Sequence, residues 1–174
     1  MKLMTACLFG MLAIVLVCAT AAPAQEMAAK PAAVNPGFEK LKKLLGEWTM
    51  ETPQGPALFT YKLTSAGSAV VETLFAGTEH EMVTVYYLDG NDLVLTHYCA
   101  EHNQPHMRAQ PGGDEETLVF KFDGGTNIDP AKTGHMHDAV ITFVDDDTVR
   151  CEWSFYENGS KKDAAIMKLT RKKS

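Results

Sequence analysis

The reading of the fold turns on Asn35-Pro36-Gly37-Phe38-Glu39-Lys40-Leu41-Lys42-Lys43-Leu44-Leu45-Gly46-Glu47-Trp48. Asn is a strong helix N-cap, and Pro suits the first helical position because its missing N–H would have no partner there. Phe38, Leu41, Leu44 and Leu45 fall on one helical face, and Gly46 stops the turn. The stretch predicts one short amphipathic helix that runs straight into a strand opening on Gly46-Glu47-Trp48. No second helical pattern follows, and the chain's last strand closes on Leu169-Thr170-Arg171.

Between these ends the chain reads as strands. Leu58–Thr64 alternates, with Phe59, Tyr61 and Leu63 on one side. Further runs are Ala69–Phe75, Met82–Leu88, Leu93–Cys99, Met107–Ala109, Leu118–Phe122, His135–Val144, Val149–Tyr156 and Ala164–Thr170. Turn residues separate them: Pro53-Gln54-Gly55-Pro56, Ala66-Gly67-Ser68, Asp89-Gly90-Asn91-Asp92, Asp145–Asp147 and Asn158-Gly159. With a first strand at Glu47–Glu51 the count is ten. Short, regular spacing without an intervening helix predicts an all-β antiparallel meander, as a sandwich or a barrel.

Gly46-Glu47-Trp48 just after a helix, with Arg171 on the final strand, resembles the calycin superfamily of lipocalins, fatty-acid-binding proteins and their bacterial relatives. The resemblance implies that Trp48 plugs the closed end of a barrel and that Arg171 lies across its ring, where a guanidinium on indole gains cation–π energy. Ser68-Ala69-Val70-Val71-Glu72-Thr73-Leu74-Phe75, His80-Glu81-Met82-Val83 and Leu95-Thr96-His97-Tyr98-Cys99 are similar to secreted bacterial lipocalin-like proteins, close in architecture to the haem-binding nitrobindins. This likeness covers Phe38 to Arg171. It implies a ten-stranded up-and-down barrel with an internal cavity, and brings no ligand or catalytic residue to transfer.

In a barrel alternate residues face inward. Val149, Cys151, Trp153 and Phe155 form one inward set, and Leu93, Leu95, His97 and Cys99 a second. Ala139, Ile141 and Phe143 form a third, whose parity His135 and His137 share. The expected cavity is therefore lined by Leu95, Phe143, Trp153 and Phe155, with Cys99 and Cys151 in its wall and His97 and the His135/His137 pair as its polar groups. A concave apolar space with a few polar groups suits a small apolar or amphipathic ligand. The competing reading is a metal or haem protein: His135 and His137 on one strand face, joined by His97, would make a zinc-type nitrogen set. Haem would need only one of these histidines. A single-residue slip or bulge reverses a strand's parity, so these sets are expectations of register.

Signatures of common catalytic sites are missing: there is no G-x-S-x-G, H-E-x-x-H, C-x-x-C or Gly-rich phosphate loop. Asp145-Asp146-Asp147 lacks the Gly and distant Glu of a calcium loop and reads as a hairpin turn. Glu72 and Glu81 are carboxylates on neighbouring strands with no nucleophile beside them. His102 and His106 fall in the loop after Cys99, and His80 near a turn. The net charge is −6, and from Glu72 to Glu157 the only cationic residues are Arg108, Lys121, Lys132 and Arg150. That scarcity argues against nucleic acid as a partner.

Met1–Ala24 carries Lys2, an apolar run from Leu8 to Val17 and Ala22-Pro23-Ala24, the pattern of a secretory signal peptide cleaved after Ala24. The run is too short for a permanent membrane anchor, and Val17 is a poor neighbour for lipidation at Cys18. Residues 25–34 read as an Ala- and Pro-rich linker, and 35–174 as the barrel domain. The expected location is periplasmic or extracellular. Cys7 and Cys18 leave with the leader. Cys99 and Cys151 lie on the fifth and ninth strands, four steps apart on a ring roughly 20 Å across. That spacing is far beyond disulfide reach, so free thiols are expected.

Overall fold

The computed structural model describes residues 34–111 and 116–173. The proposed leader and nearly all of the linker lie outside the described residues. Helix α1 spans Pro36–Leu41 and continues as a 3-10 turn over Lys42–Leu44. Its start is the one read from sequence: Asn35 accepts a hydrogen bond from the Phe38 N–H at 3.0 Å, with Pro36 opening the first turn. Phe38, Leu41 and Leu44 are buried.

Ten strands follow: β1 Gly46–Met50, β2 Ala57–Thr64, β3 Ala69–Leu74, β4 Met82–Asp89, β5 Asp92–Tyr98, β6 Gln104–Ala109, β7 Thr117–Thr126, β8 His135–Asp145, β9 Thr148–Glu157 and β10 Ser160–Arg171. Each pairs antiparallel with its neighbours in sequence, and β1 pairs with β10 to close the ring. The fold is a closed ten-stranded antiparallel barrel with one short helix, compatible with a lipocalin-like architecture. The strand count and order agree with the expectation. The main boundary differences are β6, β7 and β10, which are longer than their expected runs, and β6 takes in His106.

One end of the barrel is sealed. Trp48 is buried, its indole N–H donates to the Leu44 carbonyl at 2.7 Å, and the Arg171 guanidinium lies 4.2 Å from its ring centre. Trp48 and Arg171 are direct partners across β1 and β10. Arg171 also donates to the carbonyls of Lys43, Leu45 and Asp146, tying the turn after α1 to the last strand. Gly46 has φ +119°, a conformation that favours glycine and swings the chain from that turn into β1. At Gly37 a Cβ would sit 3.0 Å from a Leu93 methyl, so α1 packs directly on the barrel end.

Inward positions run as the alternation predicts on most strands: Val70, Glu72 and Leu74 on β3, Thr84 and Tyr86 on β4, Leu93, Leu95 and His97 on β5, Val149, Cys151 and Trp153 on β9. The exception is β8. Ala139 pairs with Trp153 and Asp138 with Ser154, but Met136 pairs with Phe155 and His135 with Tyr156. His137 is the extra residue of a β-bulge, which shifts the parity before it by one.

Candidate functional site

At the end opposite Trp48 the barrel holds a cleft of about 280 Å³. Its walls are Met50, Leu74, Phe75, Met82, Met136 and Trp153, with His97 as its polar side chain. The lining is almost wholly apolar because each of these strands places an inward residue of that type near its end. Trp153 fixes the imidazole, their ring centres 4.8 Å apart.

Beneath the cleft lies a row of buried polar groups. The register sets Tyr61 opposite Glu72, Glu72 opposite Thr84, and Thr84 opposite His97, one residue each from β2, β3, β4 and β5. Glu72 accepts from the Tyr61 hydroxyl at 2.6 Å and from the Tyr86 hydroxyl at 2.7 Å. Such short O–H···O contacts are those of charge-assisted bonds. Thr84 Oγ1 lies 2.9 Å from His97 Nδ1.

No cation stands beside Glu72 among the described residues that shape its titration. Burial raises its pKa, and the hydroxyls of Tyr61, Tyr86 and Thr84 pull it back. The same burial, reinforced by the Glu72 charge, raises both tyrosines well above the ordinary phenol value. Cys151, buried beside Tyr61 and Glu72, is pushed up by desolvation and then by the carboxylate, which makes it an unreactive thiol. His97 is held down to about 4 by burial, so its imidazole is neutral at pH 7.

Among the described residues the only fully enclosed side-chain polar atom without a partner is Asn103 Oδ1. His97, almost wholly buried, lines the cleft and bonds Thr84 through Nδ1.

No protein-family model matches this chain, and no curated protein matches it. The site therefore has to be read from its own geometry.

Of the residues singled out from sequence, His97 and Trp153 meet in the cleft. Leu95 and Cys151 are fully buried in the interior, each two residues from His97 or Trp153 in the direction of the sealed end. Phe155 is half-buried beside the cleft, partnering Met136 and pressing its ring on Gly134. Cys99 lies just past β5, half-buried, its N–H bonded to the Asn103 carbonyl.

Two expectations need correction. Phe143 is not in this cleft; it lies at the sealed end, in a depression shared with Leu44, Trp48 and Arg171. His135 and His137 do not join His97 as one nitrogen set, because the β8 bulge brings Met136 to the cleft in their place. Among the described residues no three His, Cys, Asp or Glu side chains are grouped to hold a metal.

His135 and His137 instead build an aromatic stack. His137 lies between Phe122, at 4.7 Å, and Tyr156, at 4.0 Å, and its Nδ1 is 3.0 Å from His135 Nε2. His135 Nδ1 donates to the Thr133 carbonyl at 2.7 Å.

The polar row itself was missed from sequence. Glu72 was visible as a carboxylate inside an apolar strand, a costly position without partners. That cost was the available signal. The partners lie on β2 and β4, and only the cross-strand register brings them to it.

Proposed function

We propose that the protein is a secreted or periplasmic carrier that holds a small apolar or amphipathic molecule in the mouth of its barrel. The observation that carries this reading is the apolar cleft with His97 as its one polar lining residue. Its volume of about 280 Å³ sits near the lower end of ligand sites, ~300–1,000 Å³. Four methionines in the lining, Met50, Met82, Met136 and Met167, give walls that adapt to ligand shape. Burial of ligand surface against them supplies affinity, and His97 fixes orientation.

The test is binding of the neutral fluorescent probe N-phenyl-1-naphthylamine to the wild type and to Trp153→Ala and His97→Ala, each checked for folding by circular dichroism. Saturable binding that weakens several-fold in Trp153→Ala supports the cleft. Absence of binding in the wild type, or binding unchanged in both variants, sinks it. Secretion rests on the Met1–Ala24 pattern. Its check is the intact mass of exported protein, expected to begin at Gln25 and contradicted by retained Met1 or a lipidated Cys18.

A further inference from the structure

The walls of the cleft hold chemistry that an apolar ligand does not use. Met50, Met82, Met136 and Met167 line the same space of about 280 Å³ as His97. They come from β1, β4, β8 and β10, and His97 from β5, so their side chains enter from several sides of the ring. Met82 stands two residues from Thr84, the cross-strand partner of His97. It is thus a diagonal neighbour of the imidazole on the inward face, a separation that long side chains bridge. Among the described residues lining the cleft none carries a carboxylate, thiol or ammonium group.

A thioether sulfur is soft, uncharged and binds a metal without losing a proton. Thioether and imidazole donors together favour Cu(I), whereas magnesium, calcium and manganese want oxygen ligands. Zn(II) is held by thiolates, imidazoles and carboxylates, and this cleft offers one imidazole and no anion to balance a double charge.

We propose that the cleft is a site for one Cu(I) ion, held by His97 Nε2 and by thioether sulfurs of the methionines around it. Thr84 engages Nδ1 at 2.9 Å. A hydroxyl serves there as donor or acceptor, so Nε2 takes the metal whichever way that bond points beforehand. The unbranched methionines turn their sulfurs toward the ion as it enters, and the apolar walls keep water from it. The site does not rest on carriage of an apolar molecule.

The test is anaerobic withdrawal of copper from its Cu(I)–bicinchoninate complex, followed as loss of the complex's colour. All four cysteines are first replaced, Cys7, Cys18 and Cys99 by serine and Cys151 by alanine, so that no thiol competes. This parent protein is expected to take up one Cu(I) per chain. Binding should weaken about tenfold or more when His97→Phe, or Met82→Leu with Met136→Leu, is added. Leucine keeps nearly the volume of methionine, so the fold, checked by circular dichroism, is expected to persist. X-ray absorption of the copper-loaded parent should show sulfur and imidazole nitrogen around the metal.

No uptake by the parent, or equal uptake by all three proteins, overturns the site. Displacement of the copper by excess Zn(II) overturns the soft-ion class. Should a variant fail to fold, the X-ray absorption decides, because a copper shell without sulfur overturns the proposal. N-phenyl-1-naphthylamine reads the carrier function separately, since the probe needs apolar surface and no sulfur. Probe bound without copper overturns the metal site alone, and copper bound without probe supports it while sinking the carrier.

Discussion

At the scale of the residue, the expensive group in this barrel is a buried carboxyl group whose titration no cation shapes. Glu72 is buried, and the Tyr61 and Tyr86 hydroxyls supply the hydrogen bonds that a lysine or arginine would supply elsewhere. His97 meets the same apolar surroundings by giving up its charge. The consequence for stability has a definite sign. An unfolded histidine takes up a proton near pH 6.5, whereas the folded imidazole resists until about 4. Between those values the unfolded state binds more protons, so stability present above pH 6.5 is lost as the pH falls toward 4. Two and a half units correspond to about 3 kcal/mol.

Glu72, raised by burial, acts in the opposite sense and offsets part of that loss in acid. The expected outcome is a fall in the urea midpoint of the wild type from pH 7 to pH 4.5 that is much smaller in His97→Phe. An equal fall in both proteins would assign the acid sensitivity to other groups. Removing the Tyr86 hydroxyl in Tyr86→Phe leaves the carboxylate one donor short and is expected to cost about 1–3 kcal/mol at pH 7. A variant as stable as wild type would show that Glu72 does not depend on that bond.

At the scale of the element, the seam between β1 and β10 is where few residues do most. Trp48 fills the sealed end, and Arg171 spans from its ring to three carbonyls near the ends of α1 and β8. Trp48→Ala is expected to cost about 3–5 kcal/mol, as for other large core truncations, read as a lowered urea midpoint. A loss under 1 kcal/mol would mean that the plug is not what holds the seam. This seam was legible in the sequence because a Gly-x-Trp strand after a capped helix and a terminal Arg are local signs. The ten strands were legible for the same reason, since alternation and turn residues mark each one without reference to its neighbours.

The candidate site was legible only in part. His97 and Trp153 follow from simple parity on β5 and β9. On β8 His135-Met136-His137 alternates equally well either way, and the bulge at His137 that decides the parity leaves no mark in composition. Glu72 stood out locally as a carboxylate in an apolar strand, but its link to Tyr61 and Thr84 was beyond local reading, because what joins them is pairing between strands.

At the scale of the whole molecule, closure sets what can react and what can meet. Cys99, just past the end of β5, and Cys151 on β9 are free, and those strands are four steps apart around the ring. Thiol titration after denaturation without reductant is expected to find both, and finding neither would contradict the strand order. Closure also imposes a schedule on the chain's assembly. Trp48 pairs with Arg171 and Thr49 with Thr170, so the first strand has no partner on one side until nearly the whole polypeptide has emerged. Until then two strand edges stand open, each a template for another copy of the same sequence. Such late, long-range pairing folds slowly, on the millisecond-to-second scale typical of all-β domains. A chain ended before β10 would keep both edges for good. Production of that shortened chain should put it in the insoluble fraction, and a soluble monomer would show that the ring tolerates a gap. The twelve residues of β10 thus act as a latch, and the vulnerable period of this protein's life is the interval before it engages.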